Sequence, residues 1–227
     1  HFWLVLGLPA IPSVGTISGT YVDSKQHGSW LSAWLFRKSL DSLRHVVAVS
    51  DYTRSRARAP WREKMLVVPN GVAEDLLDRP WRAVNWNADA IHRIVSVGAI
   101  KPRKGFLALI HGFKRWSDAH PKQKMALAII GSLDPRQPYV GSLQQAIIDL
   151  NLIDRVKLVG SVTDEELYGW YRWSDAFALT PIDDAGGFEG FGLVYLEANV
   201  FGKPCLGVAG TGAMQAIGSS SGVLASS

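Results

Sequence analysis

The chain has a single cysteine, Cys205, among its 227 residues, so no internal disulfide can form. That fits a reducing compartment, and the expectation is a cytoplasmic protein. Cys205 sits in the apolar run Pro204-Cys205-Leu206-Gly207-Val208 and reads as a packed core thiol. Long apolar runs are scarce as well. The opening Phe2 to Leu8 is cut short by Pro9 and Pro12, whereas a bilayer span takes about 20 apolar residues. With no basic leader and no small-residue cleavage site, that run reads as a buried strand. No methionine opens the chain, which begins at His1 and reads as a segment truncated at both ends. A large excess of charge of one sign is absent too. A net +4 is too slight to point to nucleic acid. The densest cations, Arg54, Arg56, Arg58, Arg62 and Lys64, could make a peripheral contact with an anionic membrane face, though a solvated helix surface is the simpler reading.

What is present is an α/β pattern. Short apolar runs at 93–97, 126–130, 156–159, 176–179 and 205–208 read as strands buried on both faces. Helical stretches near 105–117, 139–151, 164–173 and 191–201 separate them, as in repeated β-α units around a parallel sheet. Residues 91–227 therefore read as a Rossmann-like unit, incomplete at its end. Residues 1–77 read as the back half of another such unit, with strands at 14–17, 46–49 and 66–68 and a helix over 30–43. The stretch 78–90, with Pro80, Asn85 and Asn87 and no clean period, reads as the linker. Two such units make a cleft, a preferred ligand site.

The most informative stretch is Gly187-Phe188-Glu189-Gly190-Phe191-Gly192-Leu193-Val194-Tyr195-Leu196-Glu197-Ala198. Gly190 and Gly192 stand where a helix should begin after the strand ending at Thr180-Pro181. Free N–H groups and the positive dipole end of such a helix hold anions, and the missing Cβ atoms let a phosphate or sugar come close. Glu197 lies within an apolar helix and needs partners. Ribose hydroxyls would serve, as would a neighbouring backbone group or Lys203. Lys104 follows a strand and the turn Lys101-Pro102-Arg103, so its ammonium can project into the cleft and neutralise a leaving diphosphate.

Glu189-Gly-Phe-Gly-Leu to Glu197-Ala, followed by Gly202-Lys203-Pro204, resembles the signature of family 4 retaining glycosyltransferases of the GT-B fold. Three further segments match that family in order: Val49-Ser50 to Val68-Pro69-Asn70-Gly71-Val72, Val97-Gly98 to Lys104-Gly105, and Val156 to Gly160 with Glu166-Leu167 and Tyr171 to Asp175. The resemblance implies transfer of a hexosyl group from a UDP- or GDP-linked sugar to a hydroxyl of a glycan or glycolipid, with retained configuration. It implies Glu189 on the donor sugar, Glu197 on the ribose, and Lys104 with the Gly190, Phe191, Gly192 and Leu193 segment on the diphosphate. Gly98 and Arg103 join the donor side, and Ser18 and Gly19 the acceptor side. No metal or other cofactor is expected.

Two departures stand out. Ala99 occupies the place of the family's usual second diphosphate ligand, an arginine, leaving Arg103 or Lys101 to substitute. Ser18 stands where many members carry a histidine. Gly210-Thr211-Gly212 with Gln215 resembles a loop that usually carries Glu, and could touch the donor. Asp183-Asp184 reads as a solvated turn rather than a metal site. Trp30 with Trp34, and Trp170 with Trp173, have helical spacing and read as packing residues. A GT-B epimerase, or a nucleotide-sugar binding module without turnover, are the alternatives.

Overall fold

The computed structural model describes residues 14–19, 29–87, 89–184, 187–218 and 220–226. The strand expected over Phe2 to Leu8 lies outside these residues.

Two parallel sheets organise the described chain. The smaller runs β1 (Val14–Ile17), β2 (His45–Ala48) and β3 (Met65–Val67), in that order. Helix α1 (Trp30–Ser42) links the first pair of strands, and α2 (Asp51–Ser55) and α3 (Ala59–Glu63) the second. The larger sheet takes β4 (His92–Val97), β5 (Met125–Ile130), β6 (Val156–Gly160), β7 (Ala176–Ala178), β8 (Cys205–Val208) and β9 (Gly222–Ala225) in the order β6-β5-β4-β7-β8-β9. Its helices are α4 (Phe106–Ala119), α5 (Pro138–Asp149), α6 (Asp164–Trp173), α7 (Leu193–Val200) and α8 (Ala213–Ala216). All six residues of β5 are buried, as a central strand covered on both faces requires.

The strand order sets the site. From β4 the chain steps outward to β5 and β6, returns through α6 to β7 beside β4, then steps outward the other way. The loops after β4 and β7 consequently diverge, and the crevice between them is where open α/β sheets bind ligands.

Most expected elements form, with boundaries moved by at most two residues. The helix expected from 105 starts at Phe106, because a short 3₁₀ turn over Pro102–Lys104 precedes it. The helix expected from 191 starts at Leu193, since Gly192 takes a left-handed φ of 85°. Strand β9 and helix α8 were not anticipated, and the helix surface read over Arg54 to Lys64 is divided between α2 and α3. Gly222 lets β9 lie against β8, because a Cβ there would fall 2.1 Å from the Cys205 carbonyl oxygen.

Within the stretch 78–90, Arg82 and Trp86 lie against α6. The Arg82 N–H donates to the Glu165 carbonyl at 3.0 Å, and Trp173 Nε1 donates to the Trp86 carbonyl at 2.8 Å. The Trp86 ring meets both Trp170 and Trp173, which are buried as expected. Trp30 and Trp34 correct the packing expectation: they are 78% and 45% exposed. Spacing placed them on one helix face but could not say which way that face points.

Each of the five clustered cations has a partner within the chain. Arg54 pairs with Asp51 at 2.9 Å and Arg56 with Asp183 at 3.7 Å. Arg58 lies over Trp61, and Arg62 and Lys64 donate to the carbonyls of Ala57 and Leu40. No helix among the described residues is long and apolar enough to cross a membrane.

Cys205 is buried, and burial pushes its thiol from 9.0 to about 12. The thiolate is the reactive form, so a thiol-alkylating reagent at pH 8 is expected to leave the native protein unlabelled and to label it once unfolded in urea. Above pH 9 the unfolded thiol ionises before the folded one. The stability contributed by the neutral thiol is therefore lost between pH 9 and about 12.

Candidate active site

Lys104 and Glu189 come from the two diverging loops and meet. The side chain of Lys104 runs over Gly98, where an added Cβ would stand 3.7 Å from its Cε. Its ammonium pairs with the Glu189 carboxylate, and Arg103 Nη1 lies 3.6 Å from the same Oε2. Of the two cations that could stand in for the arginine missing at Ala99, Arg103 thus reaches the crevice, while Lys101 is exposed. All three charged groups are largely shielded, with side-chain exposures of 12% for Lys104, 23% for Arg103 and 10% for Glu189. Low local dielectric strengthens such an arrangement, provided every charge keeps a partner.

Glycines make this approach feasible. Gly105 has φ 72°, and a Cβ on it would fall 1.7 Å from the Thr180 carbonyl oxygen. Thr180 Oγ1 donates to the Gly105 carbonyl at 2.8 Å, tying the loop after β4 to the loop after β7. Gly192 places its Cα beside the Tyr195 ring. The Tyr195 phenol donates to the Leu179 carbonyl at 2.8 Å, and burial, then the Glu189 charge, hold it far above its ordinary pKa.

Glu197 projects from α7 and accepts from the Tyr171 phenol at 2.8 Å. Tyr171, not Lys203, is therefore its hydrogen-bond partner. Burial raises the phenol pKa well above its usual value and the Glu197 charge adds to it, so Tyr171 remains a donor. The side chain of Phe191 is buried in the large core, which leaves only its backbone for a ligand. Leu193 is exposed at the helix start.

The small sheet reaches the same place. Ser18, exposed, and Gly19 follow β1, and a Cβ on Gly190 would come within 2.6 Å of the Ser18 carbonyl oxygen. Phe188 is buried in the core of the small sheet, with Ile17, Val46 and Trp61, while Val49 is buried in the core of the large one. At this point the expected cleft is an interlock. Asp183 accepts from the Tyr52 phenol, so it is not the plainly solvated turn expected. Burial, then that bond, push Tyr52 up to about 12. Gly212 stands behind the site, its N–H donating to the Glu189 carbonyl at 2.9 Å, and Gln215 bonds Asp51. Tyr52 and Thr53 carried no local signal of a role here, and Ser50, Phe188 and Tyr171 stood in matched segments without one of their own, because each acts on a residue far away in sequence. No group of three or more His, Cys, Asp or Glu side chains that could hold a metal ion occurs among the described residues.

Comparison with known proteins agrees with this architecture. The chain is 30% identical over 181 residues to a GDP-mannose-dependent α-(1-6)-phosphatidylinositol monomannoside mannosyltransferase of Mycolicibacterium smegmatis, covering 76% of this chain and 46% of that enzyme. The structure superposes on sucrose-phosphate synthase from Thermosynechococcus elongatus with a TM-score of 0.75 at 21% identity, covering 98% of this chain and 57% of that one. It superposes on Anabaena HepE in complex with UDP and glucose with a TM-score of 0.72 at 20% identity, covering 100% of this chain and 62% of that one. The chain thus spans less than two thirds of each of these proteins. Residues 81–227, more than half of the sequence, match the family described as glycosyl transferases group 1. With a parallel-sheet fold of the GT-B type around it, the chain belongs to that family.

Proposed function

We propose that the crevice between the loops after β4 and β7 binds a UDP- or GDP-linked hexose, and that the protein transfers the hexosyl group to a hydroxyl of a glycan or glycolipid. The observation that carries this reading is the meeting of Lys104, Arg103 and Glu189 at the strand-order reversal. Two cations there suit a diphosphate, whose charge grows as the sugar departs; fixed charges in a shielded site lower that barrier with little reorganisation. Glu189 would accept hydrogen bonds from the sugar hydroxyls. With its Oε2 engaged by Tyr171, Glu197 would offer Oε1 to the ribose. The backbone from Gly190 to Leu193 would hold a diphosphate oxygen at the start of α7, and Ser18 and Gly19 would face the acceptor.

Retention is proposed through attack on the face that the diphosphate leaves, the acceptor proton passing to the departing phosphate oxygen. No metal is required in this scheme, because Lys104 and Arg103 carry the neutralising charge. The name of the mycobacterial relative supports GDP-mannose as donor, and the Anabaena complex supports a UDP-linked one. A cytoplasmic setting is proposed from the single buried thiol. To test the reaction, the protein is incubated with UDP-glucose or GDP-mannose and an alkyl glycoside acceptor, and the product is read by NMR. A glycoside with the donor's anomeric configuration is expected. An inverted product contradicts retention, and an altered sugar formed without acceptor favours an epimerase.

A further inference from the structure

The segment that carries Glu189 follows β7 of the large sheet, yet part of its surroundings comes from the small one. The Gly190 carbonyl accepts two hydrogen bonds, one from Ser50 Oγ and one from Thr53 Oγ1 at 3.1 Å. Both residues are fully buried. Ser50 caps α2, its Oγ accepting the Thr53 N–H at 2.8 Å; its one hydroxyl proton has two acceptors in reach, Thr53 Oγ1 at 3.0 Å and the Gly190 carbonyl, and the shorter contact is the one to Gly190. A carbonyl oxygen has two lone pairs and each hydroxyl one proton, so the two donors saturate it. Satisfying a buried carbonyl needs only one donor; the second adds direction. Glu189's own carbonyl accepts the Gly212 N–H at 2.9 Å. The two peptide units after the Glu189 Cα are thus fixed, one from each side. Phe188, immediately before, is packed edge-on to Tyr52 at 5.5 Å between ring centres and lies under Arg56.

We infer that Ser50 and Thr53 are positioning residues for Glu189: through the Gly190 carbonyl they aim its carboxylate at the donor sugar. This rests on the sugar-contacting role given to Glu189 above. It makes the small sheet part of the donor site, although neither hydroxyl touches the donor. Loss of either donor lets the Gly190 carbonyl turn, and the carboxylate turns with it. The diphosphate contacts of Lys104 and Arg103, set by the loop after β4, are left in place.

The wild type, Ser50→Ala, Thr53→Val and Thr53→Ser are titrated with UDP, UDP-glucose, GDP and GDP-mannose, with the unfolding midpoint of each recorded. The ratio of dissociation constants for a diphosphate and its sugar-bearing form isolates the sugar's contribution. Ser50→Ala and Thr53→Val are expected to keep the wild-type affinity for the diphosphate while the ratio falls about tenfold. Thr53→Ser, which keeps the hydroxyl, is expected to keep the ratio. Thr53→Val matches threonine in shape and carries the test if Ser50→Ala does not fold. An unchanged ratio in folded variants overturns the inference. So does a parallel loss of both affinities, which is what loosened structure alone would produce. A wild type that binds none of the four compounds sinks the donor-site reading, and this inference with it.

Discussion

Glu189→Gln is expected to lower the transfer rate by about 10²–10³-fold, the range seen when one fixed electrostatic contact to a transition state is removed. Glutamine keeps the shape of the side chain and its reach toward Lys104 and Arg103, but not its charge. The sugar then meets a neutral amide, which accepts hydrogen bonds more weakly than a carboxylate. Affinity for the free nucleoside diphosphate should move the other way or stay level. Without the carboxylate, Lys104 and Arg103 are two shielded cations with no counter-charge between them, and a diphosphate supplies it. Steady-state kinetics beside a binding titration separate the two effects. A variant that transfers at the wild-type rate would remove Glu189 from the chemistry. One that loses transfer and diphosphate binding together would make it a structural prop for the cations.

Gly105→Ala is expected to be the most disruptive added methyl group among the described glycines, costing about 3–5 kcal/mol of stability, in the tail of single-substitution effects. The left-handed φ of 72° alone disfavours alanine by about 1–2 kcal/mol. The Cβ would also sit 1.7 Å from the Thr180 carbonyl oxygen, a backbone atom that cannot swing aside. Relief requires the loops after β4 and β7 to part, which breaks the Thr180 bond and separates Lys104 from Glu189. Gly98→Ala is the control. Its Cβ meets nothing closer than 3.6 Å and its φ is not left-handed, so its stability should stay within about 0.5 kcal/mol of wild type. Urea melts of the two variants check the contrast, and equal melts would contradict it.

The large sheet was legible because β4, β5, β6 and β8 are short, mainly apolar runs punctuated by glycine. Lys104 and Glu189 were legible because each stands beside glycines in a strand-to-helix loop, where backbone freedom has a use. The two five-residue helices α2 and α3 are too short to show a period, and Gly222 disguised β9 as a tail. The contacts that place Glu189 were hidden for a different reason. Ser50 and Thr53 lie about 140 residues from Gly190 in sequence; a serine before a short helix reads as a cap, which it is, and nothing local reveals what its proton does. Trp30 and Trp34 show the converse. Their spacing was read correctly, but spacing fixes only that two residues share a face, and this face points outward.

The central claim is that the crevice between the β4 and β7 loops is a nucleotide-sugar site. Calorimetric titration of the chain with UDP, GDP and ADP, repeated on Lys104→Ala and Glu197→Ala, tests it most directly. Binding of one nucleotide at roughly micromolar to submillimolar concentration, weakened in both variants, is the predicted result, and it names the base. No binding to any nucleotide, or binding untouched by both substitutions, would contradict the account.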